Sequence, residues 1–136
     1  MATMKWMGAP MGLNLQIAQL AELQTVDATG GLPAVDIGQY HSWARIVLQF
    51  EAADEGEIEV KLQDSPDGST DWQDVGEFEG IGDAAGLQMV DLHTDRLRGF
   101  LRLHATVDSN ECALGAVIVG RRQYVKDYAT EAEPEA

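Results

Sequence analysis

The stretch EIEVKLQDSPDGSTDWQDVGEF, Glu57 to Phe78, is where the fold of this chain is most legible. Ile58, Val60 and Leu62 alternate with Glu57, Glu59, Lys61 and Gln63. That is the period of a strand with one face on a core and the other in water. SPDGS, Ser65 to Ser69, is turn chemistry. Proline presets φ at about −65°, aspartate closes an Asx-type turn, and glycine accepts positive φ. Trp72, Val75 and Phe78 then supply apolar contacts for a returning strand. The stretch reads as a β-hairpin with its tip at Ser65 to Asp71 and Trp72 anchoring the return.

The same period recurs on both sides of it. ARIVLQFEA puts Ile46, Leu48 and Phe50 on one face. LRGFLRLHATV places Leu97, Leu101, Leu103, Ala105 and Val107 inward, with Arg98, Arg102 and His104 on the other side. LQMVDL follows EGIGDAAG, whose Gly80 to Gly82 reads as a flexible connection. ALGAVIVG is a more continuous apolar run, suited to a strand covered on both faces. LNLQI alternates at Leu13, Leu15 and Ile17, although IAQLAEL also fits a helix. GGLPAVDIGQY reads as a turn and a short strand, and RQYVKDY as a closing segment. Short alternating runs broken by Gly, Asn and Asp turns predict an all-β chain, an antiparallel, jelly-roll-like β-sandwich over residues 13–126. Residues 1–12, with Met4, Trp6, Met7 and Pro10, lack a regular period and read as an extended N-terminal arm. Residues 127–136 are acidic, contain Pro134 and read as a disordered tail.

The 136 residues fit one domain, which buries roughly 65–70% of its unfolded surface. The net charge of −14 argues against broad contact with nucleic acid or anionic membrane, both of which require lysine and arginine. It permits a basic protein partner. Thirteen acidic residues fall between Glu51 and Asp91, where Lys61 is the only base. Arg96, Arg98, Arg102, Arg121, Arg122 and Lys126 come later. This segregation suits complementary contact between subunits, and an ordinary solvated surface is the plainer alternative. The single cysteine, Cys112, forms no internal disulfide and reads as a small buried hydrophobe. No apolar run approaches the ~20 residues of a membrane span. The start carries no long apolar block or cleavage site, so no secretory signal is expected.

Chemistry is sparse. Asp64, Asp67, Asp71 and Asp74 could offer oxygens to calcium, but their spacing departs from the calcium-loop pattern and no closing glutamate is present. Trp43 and Trp72 could form a sugar platform, although both read more simply as core. His41, His93 and His104 lack the spacing of a zinc site. No nucleophile elbow, Walker loop or dinucleotide fingerprint occurs. The expectation is a non-enzyme with no metal and no cofactor.

VKLQDSPDGSTDWQDVGEF resembles a run in small tailed-phage and prophage virion proteins, where V-K-L-Q-x-S is followed by P-D-G-S-T-x-W and an apolar return. MGLNLQIAQLAEL, AVDIGQY, RGFLRLHATV and ALGAVIVGRRQY are similar to other segments of those proteins, in the same order. The resemblance runs from about Leu13 to Tyr124. Asp71 is an extra residue before Trp72, and Phe100 stands where a tyrosine is usual. The resemblance implies a structural β-sandwich of a phage particle, made in the host cytoplasm and placed on the capsid surface as a decoration (cement) protein. It implies the major capsid protein as partner and a homo-oligomer, a trimer by the habit of such proteins. Met4, Trp6, Met7, Arg121 and Arg122 are then the candidate partner-binding residues. A tail or neck component, or a sugar-binding module for host attachment, is the alternative.

Overall fold

The structure, a computed structural model, describes residues 15–122, so the arm (1–12) and the acidic tail (127–136) lie outside the described residues. The chain runs through β1 (Leu15–Val26), β2 (Gly30–Gly31), β3 (Val35–Asp36), β4 (Tyr40–Phe50), β5 (Glu59–Ser65), β6 (Gln73–Glu77) and β7 (Gly86–Leu92). A 3-10 turn, Thr94–Arg96, precedes β8 (Phe100–Thr106) and β9 (Cys112–Arg122).

The strands form two antiparallel sheets. Sheet A has the order β1-β9-β4-β7, and sheet B the order β2-β8-β5-β6, with β3 also paired to β8. With β2 and β3 sharing one position beside β8, this is the strand order of a jelly roll. Most connections cross from one sheet to the other. Among the described residues the β5–β6 hairpin is the one paired couple of consecutive strands, and the other pairings are non-local.

Alternation decides what is inside. Ile46, Leu48, Leu114 and Ile118 from sheet A meet Val60, Leu62, Leu101 and Leu103 from sheet B, and none is more than 1% exposed. Fully burying such a side chain is worth about 1.5–3 kcal/mol each, so these rows hold the sheets together. Cys112 is buried at the start of β9, and burial, aided by the charge of Asp54, pushes its thiol pKa up. That keeps it an inert packing group.

One open alternative is decided and two local readings are corrected. IAQLAEL is strand, part of β1, with register shifts between Gln19 and Ala21 and between Ala21 and Gln24. The first of these irregularities lets the consecutive Leu20 and Ala21 both be buried. Gly80 to Gly82 is not a loose connection. Ile81 between the glycines is fully buried and bridges Ile58, exchanging two backbone hydrogen bonds of 2.9 Å. ALGAVIVG is covered fully on one face and in part on the other: Leu114, Ala116 and Ile118 are buried, while on the second face Gly115 is buried, Ala113 and Val119 are half-buried and Val117 is 37% exposed.

Candidate functional site

The hairpin that opened the sequence forms where the turn residues put it. Its tip places Gly68 at φ 81° and Asp71 at φ 58°, both in the left-handed region. A Cβ on Gly68 would also lie 2.9 Å from the Phe100 ring, so glycine is required there twice over. The aspartates once weighed as calcium ligands are engaged by donors of the protein itself. The Asp67 carboxylate accepts from the backbone N–H of Ser69 (3.0 Å) and Thr70 (2.8 Å) and from the hydroxyls of Thr70 and Ser65. Asp74 accepts from Gln63 (2.9 Å) and pairs with Lys61 (3.4 Å). Asp64 and Asp71 are held by Arg98 at 2.8 and 2.9 Å. Asp64, Asp67 and Asp71 thus hold the turn, and Asp74 ties β6 to β5. Among the described residues no group of three or more His, Cys, Asp or Glu side chains is placed to hold a metal ion.

The Asp67 bonds have a pH signature. The N–H groups of Ser69 and Thr70, then the Thr70 and Ser65 hydroxyls, hold its pKa far below the ordinary carboxylate value of 3.8. A depressed folded-state pKa contributes stability that is fully present above the unfolded value and is lost as pH falls below it. The melting temperature of Asp67→Asn should therefore fall short of the parent at pH 6, and the gap should narrow between pH 4 and pH 2. A gap independent of pH in thermal melts would mean that the charge of Asp67 does no work in the turn.

The two tryptophans do not make a sugar platform. Trp43 lies on β4 of sheet A and is 38% exposed, whereas Trp72 precedes β6 of sheet B. Neither belongs to the buried core, contrary to the sequence reading. The guanidinium of Arg102 lies 4.1 Å from the centre of the Trp72 ring and donates to Gln63 at 2.8 and 3.0 Å. One face of Trp72 is therefore occupied. Gly31 makes this possible, because a Cβ there would overlap the Arg102 guanidinium. His41, His93 and His104 lie at the start of β4, after β7 and in mid-β8.

The candidate contact residues fare differently. Met4, Trp6 and Met7 lie outside the described residues. Arg121 is exposed near the end of β9 and is paired in register with Leu15, the first described residue; Arg122 is paired with Tyr40. Residues more than a hundred positions apart thus meet at one corner of sheet A, where the segment 1–14 joins the body. Two buried polar atoms near this corner, the Tyr40 hydroxyl and Gln16 Oε1, have no hydrogen-bond partner among the described residues. Buried polar atoms are ordinarily satisfied by protein or by water.

Sequence reasoning missed a larger feature, the outer face of sheet A. Register sets Ile17, Val119, Arg45 and Asp91 in one row across the four strands. Gln19, Val117, Val47 and Met89 form the next row. Ile17 is 69%, Leu23 67%, Leu87 66% and Met89 60% exposed. A groove of about 450 Å³ opens between Leu23 and Leu87, floored by Gln49, Phe50 and Gly86 and edged by Glu51. Arg45 and Asp91 neutralise one another through two hydrogen bonds of 2.7 and 3.0 Å. Exposed apolar side chains interspersed with Gln19, Gln49 and this ion pair make the face a candidate contact surface. The signal was present in LQMVDL and ALGAVIVG, which are apolar on both faces.

No protein-family model matches the chain, and no curated protein matches it in sequence. Solved structures with the same fold do. The Eiger TNF of S. frugiperda is 7% identical with a TM-score of 0.56, over 80% of this chain and 92% of that one. The VP2 subviral particle of infectious bursal disease virus is 12% identical with a TM-score of 0.53, over 80% of this chain. The chain spans about a third of the length of the infectious bursal disease virus proteins it matches. A Bacillus endospore appendage protein, from disulfide-linked pili, is 11% identical with a TM-score of 0.51, over 81% of this chain and 90% of that one. At these identities the likeness is one of fold.

Proposed function

We propose that this protein is a non-enzymatic structural component of a phage particle, a decoration protein that binds the outer capsid surface and ties neighbouring major capsid protein subunits together. The observation that carries the reading is the corner of sheet A. There Leu15 pairs with Arg121 and Tyr40 with Arg122, and the buried Tyr40 hydroxyl and Gln16 Oε1 have no hydrogen-bond partner among the described residues. The occurrence of the fold in a viral capsid protein and in an appendage subunit is compatible with a role in assembly. Met4, Trp6, Met7 and Arg122 reach the capsid in this proposal. Arg121, on the sheet A face, belongs to the contact described in the next subsection.

The mechanism is mass action. A protein that binds only the assembled lattice stabilises it by its binding free energy, and many copies act together. Purified protein should co-sediment saturably with expanded heads lacking it and raise the temperature at which they rupture. Deleting residues 1–12 should weaken that binding about tenfold or more, the equivalent of about 1.4 kcal/mol. Binding to tails rather than heads would select the tail or neck role. No binding to either would remove the particle from the proposal.

A further inference from the structure

We infer that the outer face of sheet A is the seat of a second copy of this chain, joined through a two-fold axis that lies in the interface across the strands. This goes beyond the capsid reading and does not depend on it. The argument is that the face is complementary to itself. An isologous contact superposes each end of a surface on the opposite end of its copy. Here the two ends differ in the way such a contact needs.

Take the Val117–Val47 row as the centre. Arg121 lies four residues along β9 in one direction, and Ala113, whose carbonyl accepts from the Glu51 N–H at 2.9 Å, lies four residues in the other. The two-fold therefore brings the exposed Arg121 of one copy to the row holding the exposed Glu51 of the other. Ile17, in the row of Val119, is two residues from the centre, and Gly115, in the row of Gln49 and Leu87, is two residues the other way. Ile17, the most exposed large apolar side chain of the face, therefore meets the exposed Leu23 on the same strand of the other copy, at the rim of the groove. Two exposed apolar side chains of β1, and a positive and a negative end, are both exchanged by the same rotation.

Charge also selects this partner over others. The chain carries −14, yet the inner rows of this face hold only the self-neutralised Arg45–Asp91 pair. Two copies can approach here with little of the like-charge repulsion that the rest of the surface would impose. A strongly basic or acidic partner finds no field to recognise. An isologous face pairs copies in twos, so the free protein is a dimer or an even multiple, and not the bare trimer that the resemblance implies.

The test is the mass of the full-length protein by light scattering and sedimentation between about 1 and 100 μM, a range that brackets the ordinary affinities of protein contacts. A dimer or an even multiple is expected. Val117→Asp should raise the dissociation constant about a hundredfold, and Arg121→Glu or Glu51→Arg alone about tenfold. The double variant Arg121→Glu/Glu51→Arg should recover most of that loss, which a merely unfolded variant cannot do. A monomer at 100 μM, a trimer, or an oligomer indifferent to Val117→Asp with no recovery in the double variant overturns the inference. Head binding in the same variants is a separate readout, so failure here and failure of the capsid reading are distinguishable.

Discussion

Arg98→Met should strand the Asp64 carboxylate, buried to 3% side-chain exposure, without its counter-charge, and this should cost the fold about 3 kcal/mol. Arg98 is the staple of the hairpin. Its Nε and Nη2 donate to Asp64 Oδ1 at 3.2 and 2.8 Å, and Nη2 also reaches the carbonyls of Asp64 and Asp71 at 2.8 Å. Nη1 holds the Asp71 carboxylate at 2.9 Å, and the backbone N–H of Arg98 donates to Asp64 Oδ2. One guanidinium therefore fixes the end of β5, the left-handed residue before Trp72 and the approach to β8. A carboxylate left buried and unpaired is far more costly than the pair itself was favourable. The double variant Asp64→Leu/Arg98→Met should thus be more stable than Arg98→Met alone, despite removing more polar contacts. Chemical denaturation of the three proteins checks this. A single variant within about 0.5 kcal/mol of the parent would place Arg98 among ordinary surface residues.

That staple also marks how far the sequence could be read. The hairpin was legible because its information is local: strand period, a proline, an Asx residue and a glycine lie within one run. The partner of its buried Asp64 was not legible, because Arg98 is 34 residues away and reaches it only through the pairing of β5 with β8. In the sequence, the excess of acid between Glu51 and Asp91 suits contact between subunits or an ordinary solvated surface. Within the fold Arg98, Arg45 and Lys61 each answer one or more of those carboxylates. The corner where Leu15 meets Arg121 is likewise a product of β1–β9 pairing across most of the chain. Period alone fixes which residues share a face. It does not say whether that face is covered, and this is where β9 misled.

Ile118 and Val117 turn that ambiguity into the second large effect, because they are consecutive residues of the same apolar run. Ile118 is fully buried and lies directly across from Ile46, also fully buried. Ile118→Ala removes buried methyl and methylene groups where two sheets press on the vacated space, and a loss of about 2–5 kcal/mol is expected at any protein concentration. Val117 faces the other way and is 37% exposed. Val117→Thr conserves volume and strand preference, so in dilute monomer it should change stability by about 0.5 kcal/mol or less. If sheet A is a contact between copies, that small cost should grow as concentration rises, since self-association stabilises only the folded chain and the added hydroxyl weakens it. Melts of both variants and the parent, from dilute to concentrated solution, separate the two. A Val117→Thr cost as large as that of Ile118→Ala at high dilution would mean that this face is covered within a single chain, and would leave a second copy nowhere to sit.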